Sequence, residues 1–378
     1  MLRARNFGHR IVAINEEVMA LAMPSFIAKT TTSEVLALVD SLCAQGLNER
    51  DTYRHYFPEV PTRISMTGNP RADLLTATHR HCYFEDRDRI RGEHGSFILV
   101  NTNFGYINTE FGLPEDFLSH CARVGMFNPS VKRDIELFKA RFQFERENMM
   151  AFNDLLPILR ERYPDRKVIV RPHPSENHDR WRSLVSKVDG VEVHGDGPAI
   201  PWIIASDLLI HNACTTGVEA LLLEHPAIAY CSFSNMFEDV FLANRVNTRG
   251  TSVEDLLNRI DHVFQDPDAA AARQKADFAE KLGAHYLNAF DNVATDQVFA
   301  EIHKLMGSNS GGELLRPGKT LDPDAPFPVQ QKTRISLTKE QLTSRFELIS
   351  GQVSAGVALS VEQLGESLFS IRFVPNGL

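Results

Sequence analysis

The sequence predicts an α/β protein: a doubly wound parallel-sheet domain that binds nucleotides, preceded by a shortened Rossmann-like unit. Two observations carry this. From Ser96 to Met306, short apolar runs alternate with amphipathic helical segments, the pattern of parallel βαβ units. The 378-residue length also exceeds the roughly 150-residue domain prior enough for two domains and an appendage.

The elements follow in order. In residues 1–80, strands are expected at Arg10 to Ile14, Ser25 to Thr30 and Arg63 to Met66, with a helix at Ser33 to Leu42. That is half a Rossmann domain, either shortened or completed by another protomer. Residues 96–305 supply five strands, at Phe97–Val100, Lys167–Val170, Val191–Val193, Asp207–Ile210 and Ala227–Tyr230. Between the first two, Ile135, Phe138, Phe142, Met149, Phe152, Leu155 and Leu159 recur at helical spacing, so a crossover helix spans about Val131 to Tyr163, with a kink expected at Pro157. Further helices are expected near Arg180–Val188, Ile200–Ala205, Thr215–Glu224, Val253–Phe264 and Ala269–Met306. Gly/Ser/Asn-rich and Pro-rich stretches mark residues 306–330 as a linker, and residues 331–378 as an appendage in which only a capping box from Thr338 to Gln341 is legible.

Composition narrows the function. With 40 Lys+Arg against 49 Asp+Glu the net charge is −9, so no nucleic-acid partner is expected and any anion site must be local. The longest apolar run, Val18 to Met23, is far short of a membrane span, and the basic start turns acidic at Glu16-Glu17, too soon for a secretory leader. Five scattered cysteines without a CxxC pair argue against disulfides and structural zinc and fit a reducing cytoplasm, the expected location. His79-Arg80-His81-Cys82 has no second ligand cluster and reads as a surface turn, so no metal site is assigned.

Three strand-exit loops carry the chemistry. Arg171-Pro172-His173-Pro174 is stiffened by two prolines, which would hold Arg171 and His173 ready for a phosphate; an incidental strand exit is the plainer alternative. In His211-Asn212-Ala213-Cys214-Thr215-Thr216-Gly217-Val218-Glu219, small hydroxyl residues and glycine open a helix whose amino terminus can receive an anion; an ordinary Thr cap is the alternative. Asn101-Thr102-Asn103-Phe104-Gly105 follows the first strand. In the strand order 3-2-1-4-5 these loops meet at the topological switch point, and their convergence points to a nucleotide or sugar-nucleotide site. The absence of GxGxxG and GxxxxGK[ST] speaks against a nicotinamide dehydrogenase and a P-loop kinase. Thr67-Gly68-Asn69-Pro70-Arg71 is a hinge or a ligand loop. Asn15-Glu16-Glu17 ends a strand, where Glu17 could serve as general base or merely face solvent.

Gly68-Asn69-Pro70-Arg71, Asn101-Thr102-Asn103-Phe104-Gly105, Arg171-Pro172-His173-Pro174 and His211 to Ala220 occur in the order seen in the bacterial surface carbohydrate biosynthesis protein family, which the chain resembles over roughly residues 1 to 305. More distantly it is similar to the GT-B glycosyltransferase superfamily, including UDP-N-acetylglucosamine 2-epimerase, CDP-glycerol glycerophosphotransferases, and sialyl- and Kdo-transferases with a His-Pro motif. The resemblance implies a GT-B-like fold with the nucleotide in the carboxyl-terminal domain. It implies His173 at the donor phosphate, Thr215 and Thr216 on the same phosphate, and Glu219 near the ribose.

The expected function is therefore metal-independent transfer of a sugar, an acidic eight- or nine-carbon one being the leading choice, from a nucleotide-activated donor to a surface glycan. His173, Arg171 and Glu17 are the expected catalytic residues, and Asn101, Asn103, Gly105, His173, Asn212, Thr215, Thr216, Gly217 and Glu219 the expected donor-binding set. The nucleotide sugar is a substrate and no cofactor is expected. The expected partners are that donor and a glycan or lipid-linked glycan acceptor, with room for peripheral attachment at the inner membrane and for a homo-oligomer. The rivals are a sugar-nucleotide epimerase or hydrolase using cleft carboxylates such as Glu16, Glu17 or Asp73, and a non-catalytic binding protein.

Overall fold

The computed structural model describes residues 1, 5, 8–110, 112–123, 128–291, 293–307, 338–340, 342–343, 357–365 and 368–375. Among the described residues, nine parallel strands form two sheets. Strands β1 (Val12–Ile14), β2 (Ser41–Ala44) and β3 (Arg63–Met66) make a three-stranded sheet in that order. Strands β4 (Phe97–Asn101), β5 (Lys167–Arg171), β6 (Val191–Val193), β7 (Leu208–His211), β8 (Ala227–Tyr230) and β9 (Thr248–Gly250) make the second, in the order β6-β5-β4-β7-β8-β9. This is the expected 3-2-1-4-5 order with a sixth strand added, so the α/β pair of parallel-sheet units read from the sequence is the architecture observed.

The central strands are continuous apolar runs because both faces are covered. Phe97, Leu99, Ile169 and Leu209 face a core with Ile203, Val218 and Leu221. Ile98, Val100, Val168, Val170, Leu208 and Ile210 face a second core with Phe152, Leu155, Leu159 and Trp181. The crossover helix Lys132–Arg162 runs on through Pro157. The small sheet has its own core of Val18, Ile27, Leu36, Val39, Leu42 and Tyr53.

Several expectations change. Residues 25–30 are helical, Pro24–Ile27 followed by a 3₁₀ turn Ala28–Thr30, because Pro24 occupies the first turn, where its missing N–H costs nothing. The helix at Ser33 stops at Ala37, and Ser41–Ala44, expected partly within it, is the buried middle strand β2. The helix expected over Ala269–Met306 is two, Pro267–Gly283 and Ala294–Gly307. The second does not stay with the large sheet, as a boundary at 305 would require. Asp73 caps it, accepting from the N–H groups of Ala294 (3.2 Å) and Thr295 (2.7 Å), and Glu301 accepts a hydrogen bond from Ser65 of β3 (2.8 Å). The chain thus returns to cover the small sheet. Helix Phe84–His94, the link between the sheets, packs against helix Ala199–Ala205.

Most of the expected linker, 308–330, lies outside the described residues. Within the appendage, β10 (Val357–Gly365) and β11 (Leu368–Pro375) form an antiparallel hairpin that sequence reading did not find. At the expected capping box, Leu342 N–H donates to the Thr338 carbonyl (3.0 Å), while Gln341 lies outside the described residues.

Candidate active site

Register builds the site. Asn101, the last residue of β4, lies beside Arg171 of β5 on one side and His211 of β7 on the other, so three chain exits leave adjacent strands at one edge. The loops are joined there. Asn103 Nδ2 donates to the Ala213 carbonyl (2.7 Å), crossing from the first loop to the third. Gly105 lies so close to the second loop that a Cβ would stand 2.6 Å from Ser175 Oγ.

A carboxylate that sequence reading passed over organises the first two loops. Glu176 is fully buried and accepts from Thr102 Oγ1 (2.7 Å), His173 N–H (3.0 Å), Asn108 Nδ2 (3.2 Å) and Trp181 Nε1 (2.8 Å). Four donors on one buried carboxylate fix the backbone on either side of His173. The His173 ring is oriented in turn by Ser175, whose N–H donates to Nδ1 (3.2 Å) and whose Oγ lies 2.7 Å from the same nitrogen. In the neutral ring this places the proton on Nε2.

The third loop is strained and close-packed. Ala213 has φ 53°, a left-handed conformation held by its N–H donating to Asn244 Oδ1 (2.9 Å) and by the bond from Asn103. Asn212 Nδ2 reaches the Tyr230 carbonyl (2.8 Å), tying β7 to β8. Thr215 begins helix Thr216–Leu222 by position, its hydroxyl making no capping bond. Thr216 is buried, its hydroxyl without a hydrogen-bond partner among the described residues, and burial pushes the pKa of the nearby Cys214 thiol up. Gly217 packs on the imidazole of His211: a Cβ would stand 2.3 Å from its Nε2. His211 is fully buried, and burial pushes its pKa down to about 3, so it is neutral. Polar atoms without a hydrogen-bond partner among the described residues gather at this edge: Asn101 Oδ1, Asn212 Oδ1 and both His211 ring nitrogens.

Two expected catalytic residues do other work. Arg171 is buried, and its guanidinium donates to the carbonyls of Asp196 and Gly197 (both 2.9 Å) while lying over Trp202. Desolvation pulls its pKa down to about 10. It holds the loop after β6, and that use was hidden because its partners are backbone groups. Glu17 is exposed on the turn Glu16–Ala20. Its neighbour Glu16 faces the cleft, 3.4 Å from Asn69 Nδ2. Asp73 is spent on its helix cap.

Glu219, expected near a ribose, is buried and paired with Arg71 of the first unit. Burial raises its pKa, Arg71 pulls it back and Glu16 pushes it up again. Burial likewise lifts Glu49 to about 8, with Glu16 adding to the rise. Glu16, Glu49, Arg71 and Glu219 are therefore one electrostatically coupled group between the two sheets. Beside it the units are joined by Ala22 N–H to the Val240 carbonyl (2.8 Å) and Leu287 N–H to the Gln45 carbonyl (2.8 Å). A cavity of about 300 Å³ flanks the first loop, walled by Phe26 and Lys29 from one unit and Tyr106, Phe138, Arg141 and Phe241 from the other.

No protein-family model matches the chain, and no curated protein matches it. Among solved structures it is similar to the wall teichoic acid polymerase TagF, at 12% identity and a TM-score of 0.43, over 75% of this chain and 60% of that one. It is also similar to UDP-GlcNAc 2-epimerase from Neisseria meningitidis bound to UDP-GlcNAc, at 13% identity and a TM-score of 0.46, over 81% of this chain and 72% of that one. A third is Anabaena Alr3699/HepE in complex with UDP-glucose, at 11% identity and a TM-score of 0.42, over 81% and 74%. The chain spans about three fifths of the TagF chain.

Proposed function

We propose that the chain is an enzyme acting on a nucleotide-activated sugar, and that it transfers the sugar to a glycan acceptor of a bacterial surface polysaccharide. The observation that carries the reading is the meeting of three polar loops at the carboxyl ends of β5, β4 and β7, the switch point of a doubly wound sheet. There the sheet edge also holds buried polar atoms without hydrogen-bond partners among the described residues.

In this reading His173, with its proton on Nε2, donates to the donor phosphate, and Thr215 with the backbone around Thr216 and Gly217 receives the same phosphate. Asn101 and Asn103 close the other wall. Negative charge develops on the leaving phosphate as the glycosidic bond breaks, so these donors strengthen in the transition state, without a metal. Arg171 acts as a positioning residue. The acceptor enters from the first unit, past the cavity between Phe26 and Phe241.

A second reading, sugar-nucleotide epimerisation or hydrolysis, is favoured by one observation, the carboxylates Glu16, Glu49 and Glu219 grouped with Arg71 between the two sheets. Product analysis separates the readings. The purified chain is incubated with CMP-, CDP-, UDP- and GDP-sugars, with and without glycan acceptors. Acceptor-dependent release of free nucleotide supports transfer, and an epimer or free sugar without acceptor supports the second reading. No turnover of any donor by a chain that binds it would leave a binding protein.

A further inference from the structure

Away from the crevice, two histidines and a glutamate converge at the edge of the large sheet. His94 ends helix Phe84–His94, Glu192 lies in edge strand β6, and His194 follows that strand. His94 Nδ1 and His194 Nε2 each lie 3.0 Å from Glu192 Oε2, and the three atoms are within 4.8 Å of one another. We propose that His94, Glu192 and His194 bind a divalent transition-metal ion of the zinc type.

Two imidazoles and a carboxylate are a borderline ligand set, suited to zinc with water completing a tetrahedron. Bonds of about 2.0–2.2 Å around such an ion place its ligand atoms roughly 3.3 Å apart, close to the 3.0 Å at which each imidazole already stands from Glu192 Oε2. The rings are held in place. Trp202 stacks on His194 (centroids 5.2 Å, 30°) and tilts against His94 (5.2 Å, 41°). His94 turns its other nitrogen toward Glu93 Oε2 (3.8 Å), where an outer carboxylate supports a metal-bound imidazole. The side chains of His94, Glu192 and His194 are 10%, 31% and 35% exposed, so an ion can enter from solvent. Lys167 Nζ sits 2.6 Å from Glu192 Oε1; it fixes that carboxylate, and its charge weakens affinity.

The ion would clamp the link between the sheets to the loop after β6. That loop is anchored by His194 N–H on the Val170 carbonyl (3.0 Å) and by the Arg171 contacts at Asp196 and Gly197, one strand exit from His173. The site was invisible in the sequence because 98 residues separate His94 from Glu192.

The test uses the full chain, stripped with a chelator and titrated with ZnCl₂ against a competing chromophoric chelator, with MgCl₂ as control. Tryptophan fluorescence, to which Trp202 beside the site and Trp181 both contribute, and melting temperature are the second and third readouts. The expected result is one high-affinity Zn²⁺ per chain, a changed tryptophan emission, a raised melting temperature and no response to Mg²⁺. Affinity should fall at least tenfold in His94→Ala and in His194→Asn. Because His194 is part-exposed, the second variant keeps the test valid if the first does not fold. Absence of zinc binding in the wild-type chain, or equal binding in His194→Asn, would overturn the proposal. Neither outcome touches the nucleotide reading, which these titrations do not probe.

Discussion

Glu176 shows how one buried residue ties together two strand-exit loops of the candidate site. Three of its donors come from the two loops around His173 and the fourth, Trp181, from helix His178–Val185, so removing the carboxylate strands them in the interior. Glu176→Ala should therefore cost about 3 kcal/mol or more, measured by denaturant unfolding, and should loosen the His173 loop. A variant as stable as wild type would show that the node does not hold the loop. His173 is legible in the sequence because prolines flank it at a strand end. The use of Arg171 as an anchor is not legible in the sequence for a physical reason: its guanidinium donates to carbonyls of the loop after β6, which have no sequence signature.

At the scale of elements, legibility follows burial. Strands β4, β5, β7 and β8 stand out because parallel strands covered on both faces need apolar residues throughout. Strand β9, Thr248–Gly250, has no apolar residue and lies at the edge, so only its pairing with β8 reveals it. The short helix Thr216–Leu222 is placed by close packing on β7, with Gly217 against His211. Gly217→Ala should destabilise the protein by about 1–3 kcal/mol, read from urea or thermal unfolding, because the added Cβ would overlap the buried His211 ring. Unchanged stability would mean that the ring gives way.

For the whole molecule, the question is what holds the two sheets together across the crevice. The Arg71–Glu219 pair joins them, and its carboxylate is buried while its guanidinium is half-exposed. In Arg71→Ala, Glu219 loses the cation that lowers its raised pKa, and it stays protonated to higher pH. A carboxyl with a raised folded pKa stabilises below its unfolded pKa and loses that contribution as pH climbs toward the folded value. The stability deficit of Arg71→Ala, read from denaturant unfolding, should thus be small near pH 5 and larger near pH 8, about 1–2 kcal/mol after allowance for the exposed guanidinium. A deficit that shrinks with rising pH would contradict the coupling. The returning helix Ala294–Gly307 belongs to this scale too, since no local pattern says which sheet a terminal helix will cover.

The central claim is that the edge where β5, β4 and β7 end binds the nucleotide of an activated sugar through His173. The measurement that tests it most directly is a thermal-shift titration of wild type and His173→Ala with CMP, CDP, UDP and GDP, with the melting temperature of each unliganded protein recorded alongside. A ligand that binds only the folded state raises the melting temperature. The account predicts that at least one nucleotide stabilises the wild type, that His173→Ala melts at nearly the wild-type temperature without ligand, and that the variant binds that nucleotide about ten- to a hundredfold more weakly. If no nucleotide stabilises the wild type, or if His173→Ala binds as tightly while melting lower, the crevice is not the site described.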